Sequence, residues 1–288
     1  MDLINNLPAS LALGILLAIV ISLAAWRARS LSPSGALGAT LLGAVIFGLG
    51  GLRWAILLLA FFISSSALSR LFKRRKAAVE EKFSKGAQRD AGQVLANGGV
   101  AGLFVLVHIA LLYSGGEPAA WPWLAFAGAL AAANADTWAT ELGVLSRSAP
   151  RLITTGQVVE SGTSGGVSPM GTLAALGGAA LIGGLAALAS PSPLSAQAAL
   201  LTLLAVTLAG LAGSLFDSLL GATVQAIYHC PCCQKETERY PIHSCGCQTT
   251  LARGWKWMDN DWVNGLCTLV GAAIAALVWI AALIATLI

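Results

Sequence analysis

Charged residues are scarce in this sequence. Asp, Glu, Lys and Arg make up only 10% of its 288 residues, whereas a soluble domain carries about a quarter. With 57% hydrophobic residues and a mean hydropathy of +0.77, the composition excludes an ordinary water-soluble enzyme. The net charge of +4 is explained by a basic rim facing anionic lipids, so we expect no nucleic acid as a partner.

Long apolar runs recur along the whole chain instead. Each is long enough to cross a hydrocarbon layer of about 30 Å as a helix. The sequence therefore predicts an all-α, polytopic transmembrane helical bundle that forms a single integral membrane domain over residues 1–288. The predicted spans number about eight and cover residues 7–26, 35–50, 53–71, 92–113, 121–146, 168–189, 195–227 and 262–287.

The basic residues indicate an orientation. With eight spans, every Lys and Arg except Arg53 falls on one side of the membrane, and such an excess is typical of the cytoplasmic side. We expect a multi-pass protein of a prokaryotic inner membrane, with membrane lipids as neighbours. The basic residues of that side are Arg27, Arg29, Arg70, Lys73, Arg74, Arg75, Lys76, Lys82, Lys85, Arg89, Arg147, Arg151, Lys235, Arg239, Arg253 and Lys256.

The polar side chains within the predicted spans gather toward that same side. At 1.5 Å per helical residue, Asp136 and Asp217 lie about 16 Å in from it. The outer halves of the same spans are almost free of polar side chains, which favours a cavity open to the cytoplasm over a pore. The candidate substrate-binding residues in the spans are Asn97, Asn134, Thr137, Glu141, Ser214, Ser218, Gln225, Asn260 and Asn264.

Carboxylates within a membrane are costly, at about 2.5–3.5 kcal/mol each on insertion scales, and are usually functional. We interpret Asp136, Asp217 and Asp261 as ligands of Mg²⁺, because hard carboxylate and amide oxygens suit this ion when substrate phosphates complete its shell. The alternative is that Asp, Asn and Gln side chains only connect helices to one another through hydrogen bonds.

A glycine-rich loop follows the fifth span, between Pro150 and Pro169. It lacks the Gly-Lys-Ser/Thr ending of a phosphate-binding P-loop, but it leads directly into a helix, where backbone N–H groups and the helix dipole favour an anion. We therefore predict a phosphate-binding loop, although glycine and serine are also typical of flexible connectors. The candidate residues are Arg151, Thr154, Thr155, Gly162, Thr163, Ser164, Gly165 and Gly166.

Five cysteines and one histidine occur between Cys230 and Cys247, within a predicted cytoplasmic loop at 228–257. On the reducing side of a membrane this pattern favours a metal over disulfides. The simplest tetrahedral set for structural zinc is Cys230, Cys233, His243 and Cys245, with Cys232 and Cys247 as possible substitutes. The loop would then brace the seventh and eighth spans.

Several segments together resemble a known family, the domain-of-unknown-function 92 membrane proteins, which include plant and cyanobacterial phytyl-phosphate kinases. The matching segments are Q-V-L-A-N-G-G (93–99), A-D-T-W-A-T-E-L-G (135–143), P-R-L-I-T-T-G (150–156), G-T-S-G-G-V-S (162–168), D-S-L-L-G-A-T-V-Q (217–225), H-S-C-G (243–246) and N-D-W-V-N (260–264). They keep the same order and cover most of residues 90–265.

The resemblance implies a kinase that uses CTP or another nucleoside triphosphate to convert a prenyl monophosphate to its diphosphate. Our interpretation of the residues agrees with that chemistry, with Asp136, Asp217, Asp261 and Arg151 as the catalytic candidates. Two alternatives stay open. One is a related lipid-activating enzyme, either a cytidylyltransferase or a lipid-alcohol kinase, and the other is a carrier of anions or lipids.

Overall fold

The computed structural model describes residues 7–72, 88–115 and 120–287, and the predicted basic residues at 73–85 lie outside them. Eight long helices dominate the described chain. They are α1 (Leu7–Arg27), α2 (Pro33–Val45, extended by a π-helical turn at Ile46–Gly50), α3 (Leu52–Leu71), α4 (Ala91–Tyr113), α5 (Trp121–Gly143), α6 (Pro169–Leu188), α7 (Ala196–Thr223) and α8 (Asn260–Leu287). The predicted helical bundle is confirmed.

Seven of these helices are long and apolar enough to cross a membrane. The exception is α5, whose 23 residues include Asn134, Asp136 and Glu141. This helix packs against α3, α4, α6, α7 and α8, so its neighbours are mostly protein. A helix enclosed in this way does not need the apolar surface that lipid demands.

The helices alternate in direction, so that α1, α3, α5 and α7 end where α2, α4, α6 and α8 begin. We call this the polar end of the bundle. Three helices starting there carry side-chain N-caps, at Ser32, Asp90 and Ser168, each accepting a bond from a backbone N–H three residues later. The predicted seventh span is too long, because α7 ends at Thr223 and the chain enters a strand at Ile227.

Small residues let the central helices approach closely. Gly128 of α5 faces Gly271 of α8, and a Cβ added to either glycine would collide with the carbonyl oxygen of the other. Such contacts are typical of membrane helices, which associate through close packing. One hydrophobic cluster includes residues from all eight helices.

Aromatic rings pack together in the half of the bundle away from the polar end, which we call the far end. Trp54 lies 5.1 Å from Trp123 and 4.7 Å from Phe126, measured between ring centroids. His108 also packs on Trp54, at 5.1 Å. The interior of the far end is therefore densely packed and largely apolar.

The two long connections at the polar end contain short strands. After α5, β1 (Arg151–Leu152) pairs with β2 (Gly166–Val167) in antiparallel fashion. After α7, an antiparallel sheet of order β4-β3-β5 contains β3 (Ile227–Cys230), β4 (Lys235–Thr237) and β5 (Thr250–Arg253). The two connections thus form ordered structure above the helix ends.

Candidate active site at the polar end

A large polar cavity opens at the polar end. It encloses about 1870 Å³, including the space at its mouth, between the ends of α3, α5 and α7 and the starts of α4, α6 and α8. Of the residues predicted from the sequence, those in its wall are Asn97, Asp136, Thr137, Glu141, Gly162, Thr163, Ser164, Gly165, Gly166, Ser214, Asp217, Ser218, Gln225, Asn260 and Asn264. Residues from five separate segments therefore meet in one space.

Three carboxylates lie close together in this wall. Asp136 of α5, Asp217 of α7 and Glu238, which follows β4, are near enough for their charges to interact. The Oδ2 atom of Asp217 is buried and has no hydrogen-bond partner among the described residues. Carboxylates brought together in this way repel one another, so the arrangement favours a bound cation.

Sequence reasoning missed Glu238. Its Oε1 atom accepts hydrogen bonds from Ser164 of the glycine-rich loop and from Gln225, both at 2.9 Å. The cysteine loop therefore inserts a carboxylate into the cavity wall. No local signal marks this residue, because Glu236 and Glu238 both occur in the same short polar stretch and nothing in the sequence distinguishes them.

The glycine-rich loop forms another wall, from Ser161 to Ser168. Gly165 has a φ of +85°, and a side chain there would collide with Ala222. The facing glycine, Gly221, leaves room for the backbone of Gly165, because a Cβ there would lie 2.9 Å from the Gly165 nitrogen. Arg253 of β5 joins these segments by donating to the carbonyl oxygens of Gly221, at 2.7 Å, and Ser164, at 3.3 Å.

Glu141 lies on the side of the cavity nearest α3. Its Oε1 atom accepts a 2.7 Å hydrogen bond from Ser69, and its charge interacts with Arg89. Arg89 precedes α4 and also lines the cavity. From the sequence, Arg89 is predicted only as one of the basic residues of the cytoplasmic side. It is therefore a second cavity residue that sequence reasoning missed.

Asn134 lies elsewhere than the sequence suggested. It is fully buried, its Oδ1 atom accepts bonds from Ser64 and Ser65 of α3, and its Nδ2 atom donates to Gly178 of α6 at 2.8 Å. It lies two residues before Asp136, so its side chain is rotated by about 200° on the helix and faces the neighbouring helices. Asn134 therefore connects helices and does not line the cavity.

Three residues at the start of the connection after α5 also lie outside the cavity. Arg151, Thr154 and Thr155 are exposed, and the Arg151 guanidinium donates to Gly156 in its own turn at 2.9 Å. The β1–β2 pairing turns this segment away from the cavity. Asp261 is likewise not part of the wall, although its neighbour Asn260 is, because adjacent residues on a helix face different directions.

The predicted zinc ligands cluster. The side-chain ligand atoms of Cys230, Cys233, His243 and Cys245 all lie within 4.8 Å of one another. The two sulfurs of Cys230 and Cys245 are 3.5 Å apart, and His243 Nδ1 lies 3.3 Å from Cys245 Sγ and 3.6 Å from Cys233 Sγ. Four such ligands around one point could hold a tetrahedral metal ion.

The other two cysteines of the loop behave differently from our expectation. Cys232 and Cys247 form a disulfide with each other, so they are not substitutes within the four-residue cluster. Cys232 is adjacent to Cys233, and Cys247 is two residues from Cys245. Because Cys233 and Cys245 lie together in the cluster, Cys232 and Cys247 are also close to each other. The loop therefore contains a disulfide next to a cluster of four potential metal ligands.

Comparison with known proteins agrees with the resemblance. The model of the integral membrane protein family DUF92 matches residues 16–272. Protein PGR of Arabidopsis thaliana is 36% identical over 75% of this chain and 79% of its own length. An uncharacterized membrane protein of Methanocaldococcus jannaschii is 32% identical over 93% of this chain and 94% of its own.

A further relative, an uncharacterized membrane protein of Synechocystis, is 29% identical over 86% of this chain and 82% of its own length. No solved structure matches the chain. The family match covers the cavity-lining segments and the cysteine loop together. The chain belongs to the DUF92 family of integral membrane proteins.

Proposed function

We propose that this membrane protein is a kinase that transfers a phosphoryl group from CTP or another nucleoside triphosphate to a prenyl monophosphate. The observation that carries the proposal is the meeting of Asp136, Asp217 and Glu238 with the glycine-rich loop in one cavity. Phosphoryl transfer requires positioning and charge neutralisation more than covalent catalysis. Carboxylates that bind a cation would neutralise phosphate charge, and a glycine-rich loop at a helix N-terminus would position the phosphates.

In the reaction, an oxygen of the prenyl monophosphate attacks the γ-phosphorus of the donor. A new P–O bond forms as the bond from the γ-phosphorus to the β,γ-bridging oxygen breaks, so the products are the prenyl diphosphate and the nucleoside diphosphate. The acceptor phosphate is already ionised near neutral pH, and no strong general base is needed. We assign Asn97 and Asn264, which line the cavity, to orient substrate oxygens, and the loop from Gly162 to Gly166 to bind the donor phosphates.

Magnesium fits this set of residues. Asp136, Asp217 and Glu238 would hold it, which replaces Asp261 by Glu238 in the set expected from the sequence. When bound, Mg²⁺ neutralises charge on the donor phosphates. Without a cation, three neighbouring carboxylates would repel a polyphosphate, so the chemistry of the donor set itself favours a metal-dependent enzyme.

We also propose that Cys230, Cys233, His243 and Cys245 hold a structural zinc ion. The separations between their ligand atoms fit a tetrahedral site. Glu238 lies in the chain between Cys233 and His243, so a metal that fixes both would also fix the carboxylate in the cavity wall. The role of the zinc would be to position Glu238.

We place the polar end at the cytoplasmic face of a prokaryotic inner membrane, where nucleoside triphosphates are available. The support is the distribution of basic residues, because Arg27, Arg70 and Arg253 belong to this end and Arg53 to the other. A carrier would need a second route to the opposite side. The packing of Trp54, Trp123 and Phe126 at the far end gives no support for one.

The proposal is tested with purified full-length protein in detergent. Geranylgeranyl monophosphate is supplied with Mg²⁺ and either CTP or ATP, and lipid products are identified by mass spectrometry. We expect a diphosphate and nucleoside diphosphate, which are absent with Asp217→Ala. A CDP-lipid with pyrophosphate would instead indicate a cytidylyltransferase. In a parallel reaction supplied with geranylgeraniol, formation of the monophosphate would indicate a lipid-alcohol kinase. If no product formed while a known lipid kinase was active under the same conditions, the proposal that this protein is an enzyme would be contradicted.

A further inference from the structure

A second cavity adjoins the first and differs from it in chemistry. It is a groove of about 640 Å³ between α1, α2, α3 and α4, including the space at its mouth. Its wall is formed by apolar side chains such as Ile21, Leu42, Phe47 and Leu58. A groove with this lining fits an apolar chain and offers nothing to a nucleotide.

The groove and the polar cavity meet at three residues. Arg89, Gln93 and Asn97 line both spaces. They are the polar boundary of an otherwise apolar groove, so a molecule that lies in the groove presents one end to the carboxylate cavity. The pair of spaces therefore matches an amphiphile with one apolar chain and one polar head.

Arg89 supplies the charge at this boundary. Its guanidinium lies over the ring of Phe61, at 5.5 Å from the ring centroid, and its Nη1 atom is buried with no hydrogen-bond partner among the described residues. Burial lowers the pKa of Arg89 and the charge of Glu141 raises it, but a guanidinium remains protonated in proteins. Because its Nη1 donor is unused, this buried cation can bind an anion in addition to its interaction with Glu141.

The backbone of Arg89 is held firmly in place. Its N–H donates to Ser30 at 3.1 Å, and its carbonyl accepts from Ser32 at 3.0 Å, so it bridges the connection between α1 and α2. Gly35 permits this contact, since a Cβ there would collide with the Arg89 carbonyl oxygen. The side chain is thus positioned by the same helices that form the groove.

We propose that the groove between α1 and α4 holds the single apolar chain of the lipid substrate, with Arg89 binding its phosphate at the junction. This inference rests on the proposed function for the identity of the reaction, and it adds where the acceptor lies and which residue recognises it. The bound phosphate would project toward Asp136 and Asp217, where the donor phosphates are expected. Arg89 would then touch the reacting phosphate and be a substrate-binding residue.

Binding without nucleotide tests the proposal separately from catalysis. Purified full-length protein is titrated with radiolabelled geranylgeranyl monophosphate, and the bound fraction is measured. We expect Arg89→Gln to weaken binding by about tenfold or more, because a charge-assisted contact is lost, while Arg89→Lys retains part of it. The matched control is Arg151→Gln, which removes an exposed arginine outside both spaces and leaves affinity unchanged.

A second pair of variants probes the groove itself. Ala39→Phe places a ring in the groove, whereas Leu37→Phe changes a lipid-facing position on the same helix that is 64% exposed. We expect Ala39→Phe to weaken binding of the twenty-carbon substrate about tenfold while five-carbon dimethylallyl monophosphate is little affected. Leu37→Phe should behave like the wild type with both ligands.

The outcomes separate the two proposals. Arg89-dependent lipid binding without any phosphoryl transfer would support the site and contradict the kinase. Turnover with unchanged KM for the lipid in both Arg89→Gln and Ala39→Phe would keep the kinase and overturn the site. Equal competition by two-chain phosphatidate would assign the groove to bilayer lipid and also overturn the inference.

Discussion

The two halves of α5 lie in different surroundings. From Trp123 to Ala133 the helix is almost completely buried, and its alanines and glycine pack against neighbouring helices. From Asp136 to Gly143 it is partly open and lines the polar cavity. One continuous helix thus connects a densely packed far end with an open polar end, which suggests that stability depends on the first half and activity on the second.

This comparison predicts that substitutions at the two ends affect different properties. Changes in the cavity should reduce turnover while leaving the folded protein intact. Changes in the packed end should lower the free energy of unfolding while the remaining folded molecules keep their activity. The four predictions below test this separation, in order of decreasing effect on turnover.

Asp217→Asn should have the largest effect on turnover. It removes a charge from the carboxylate cluster while keeping the side-chain volume, and we expect phosphoryl transfer to fall by about 10²–10³-fold or more, the usual scale for lost electrostatic stabilisation. The melting temperature should stay the same or rise, since the variant relieves repulsion from Asp136 and Glu238. Initial rates and thermal unfolding in the same detergent measure both quantities.

The matched control for Asp217 is Thr202→Val, a polar residue on the same helix but away from the cavity. It should keep wild-type turnover. If Asp217→Asn also kept its activity, the cavity would lose its assignment as the catalytic centre. If it lost activity only because the protein unfolded, the separation between the two ends would be wrong.

Loss of the metal cluster should have the next largest effect. We expect about one zinc ion per chain by elemental mass spectrometry, and its loss in His243→Ala. Turnover should then fall about 10–100-fold, because loss of the metal frees Glu238 and also the glycine-rich loop that donates to it through Ser164. His229→Ala is the control, since His229 lies on β3 outside the four-residue cluster and the variant should keep its zinc.

A wild-type protein that contains no zinc after purification without chelators would contradict the metal site. A zinc-free His243→Ala variant with full turnover would keep the metal but remove its connection to the cavity. The two results therefore test separate steps of the argument.

Glu238→Gln should reduce turnover by about tenfold and raise the Mg²⁺ concentration needed for half-maximal rate. The hydrogen bonds from Ser164 and Gln225 can be partly kept by the amide oxygen, so the loop should stay in place. The control is Glu236→Gln, two residues earlier on β4 and exposed, which should change turnover by less than about twofold. Equal effects of the two variants would mean that Glu238 has no special role.

Hydropathy and periodicity predicted the helices well, because membrane helices must satisfy their backbone hydrogen bonds internally and therefore appear as long apolar runs. Charges within such apolar runs are conspicuous, so the same patterns indicated Asp136 and Asp217. The glycine-rich loop was indicated by its composition and by the helix that follows it. They could not place Glu238 or Arg89. Both lie in polar connections where a charged residue is ordinary, and only the folded path of the chain brings them into the cavity.

The misplaced residues have physical reasons as well. Asn134 shares a motif with Asp136, but two positions along a helix turn a side chain by about 200°, so it faces α3 and α6 instead of the cavity. Arg151 precedes the loop that does line the cavity, yet the short β1–β2 pairing directs it outward. Closeness in sequence to a cavity-lining segment therefore did not predict which way a side chain points.

Gly128→Ala should have the smallest effect on turnover and the clearest effect on stability. The added Cβ would collide with the carbonyl oxygen of Gly271 and approach Ala275 Cβ to 2.7 Å, so α5 and α8 must separate. Overpacking of this kind costs about 1–3 kcal/mol, which should lower the melting temperature. Turnover per folded molecule should stay near that of the wild type, because the contact is in the packed half of α5.

Gly99→Ala is the control for Gly128, because it also adds a methyl group to a membrane helix but meets nothing within 4 Å. It should be neutral or slightly stabilising, since alanine loses less backbone entropy than glycine in a helix. If Gly128→Ala lowered turnover as strongly as stability, motion between α5 and α8 would be coupled to the cavity. The packed end would then take part in catalysis, and the division of α5 into a structural and a catalytic half would have to be abandoned.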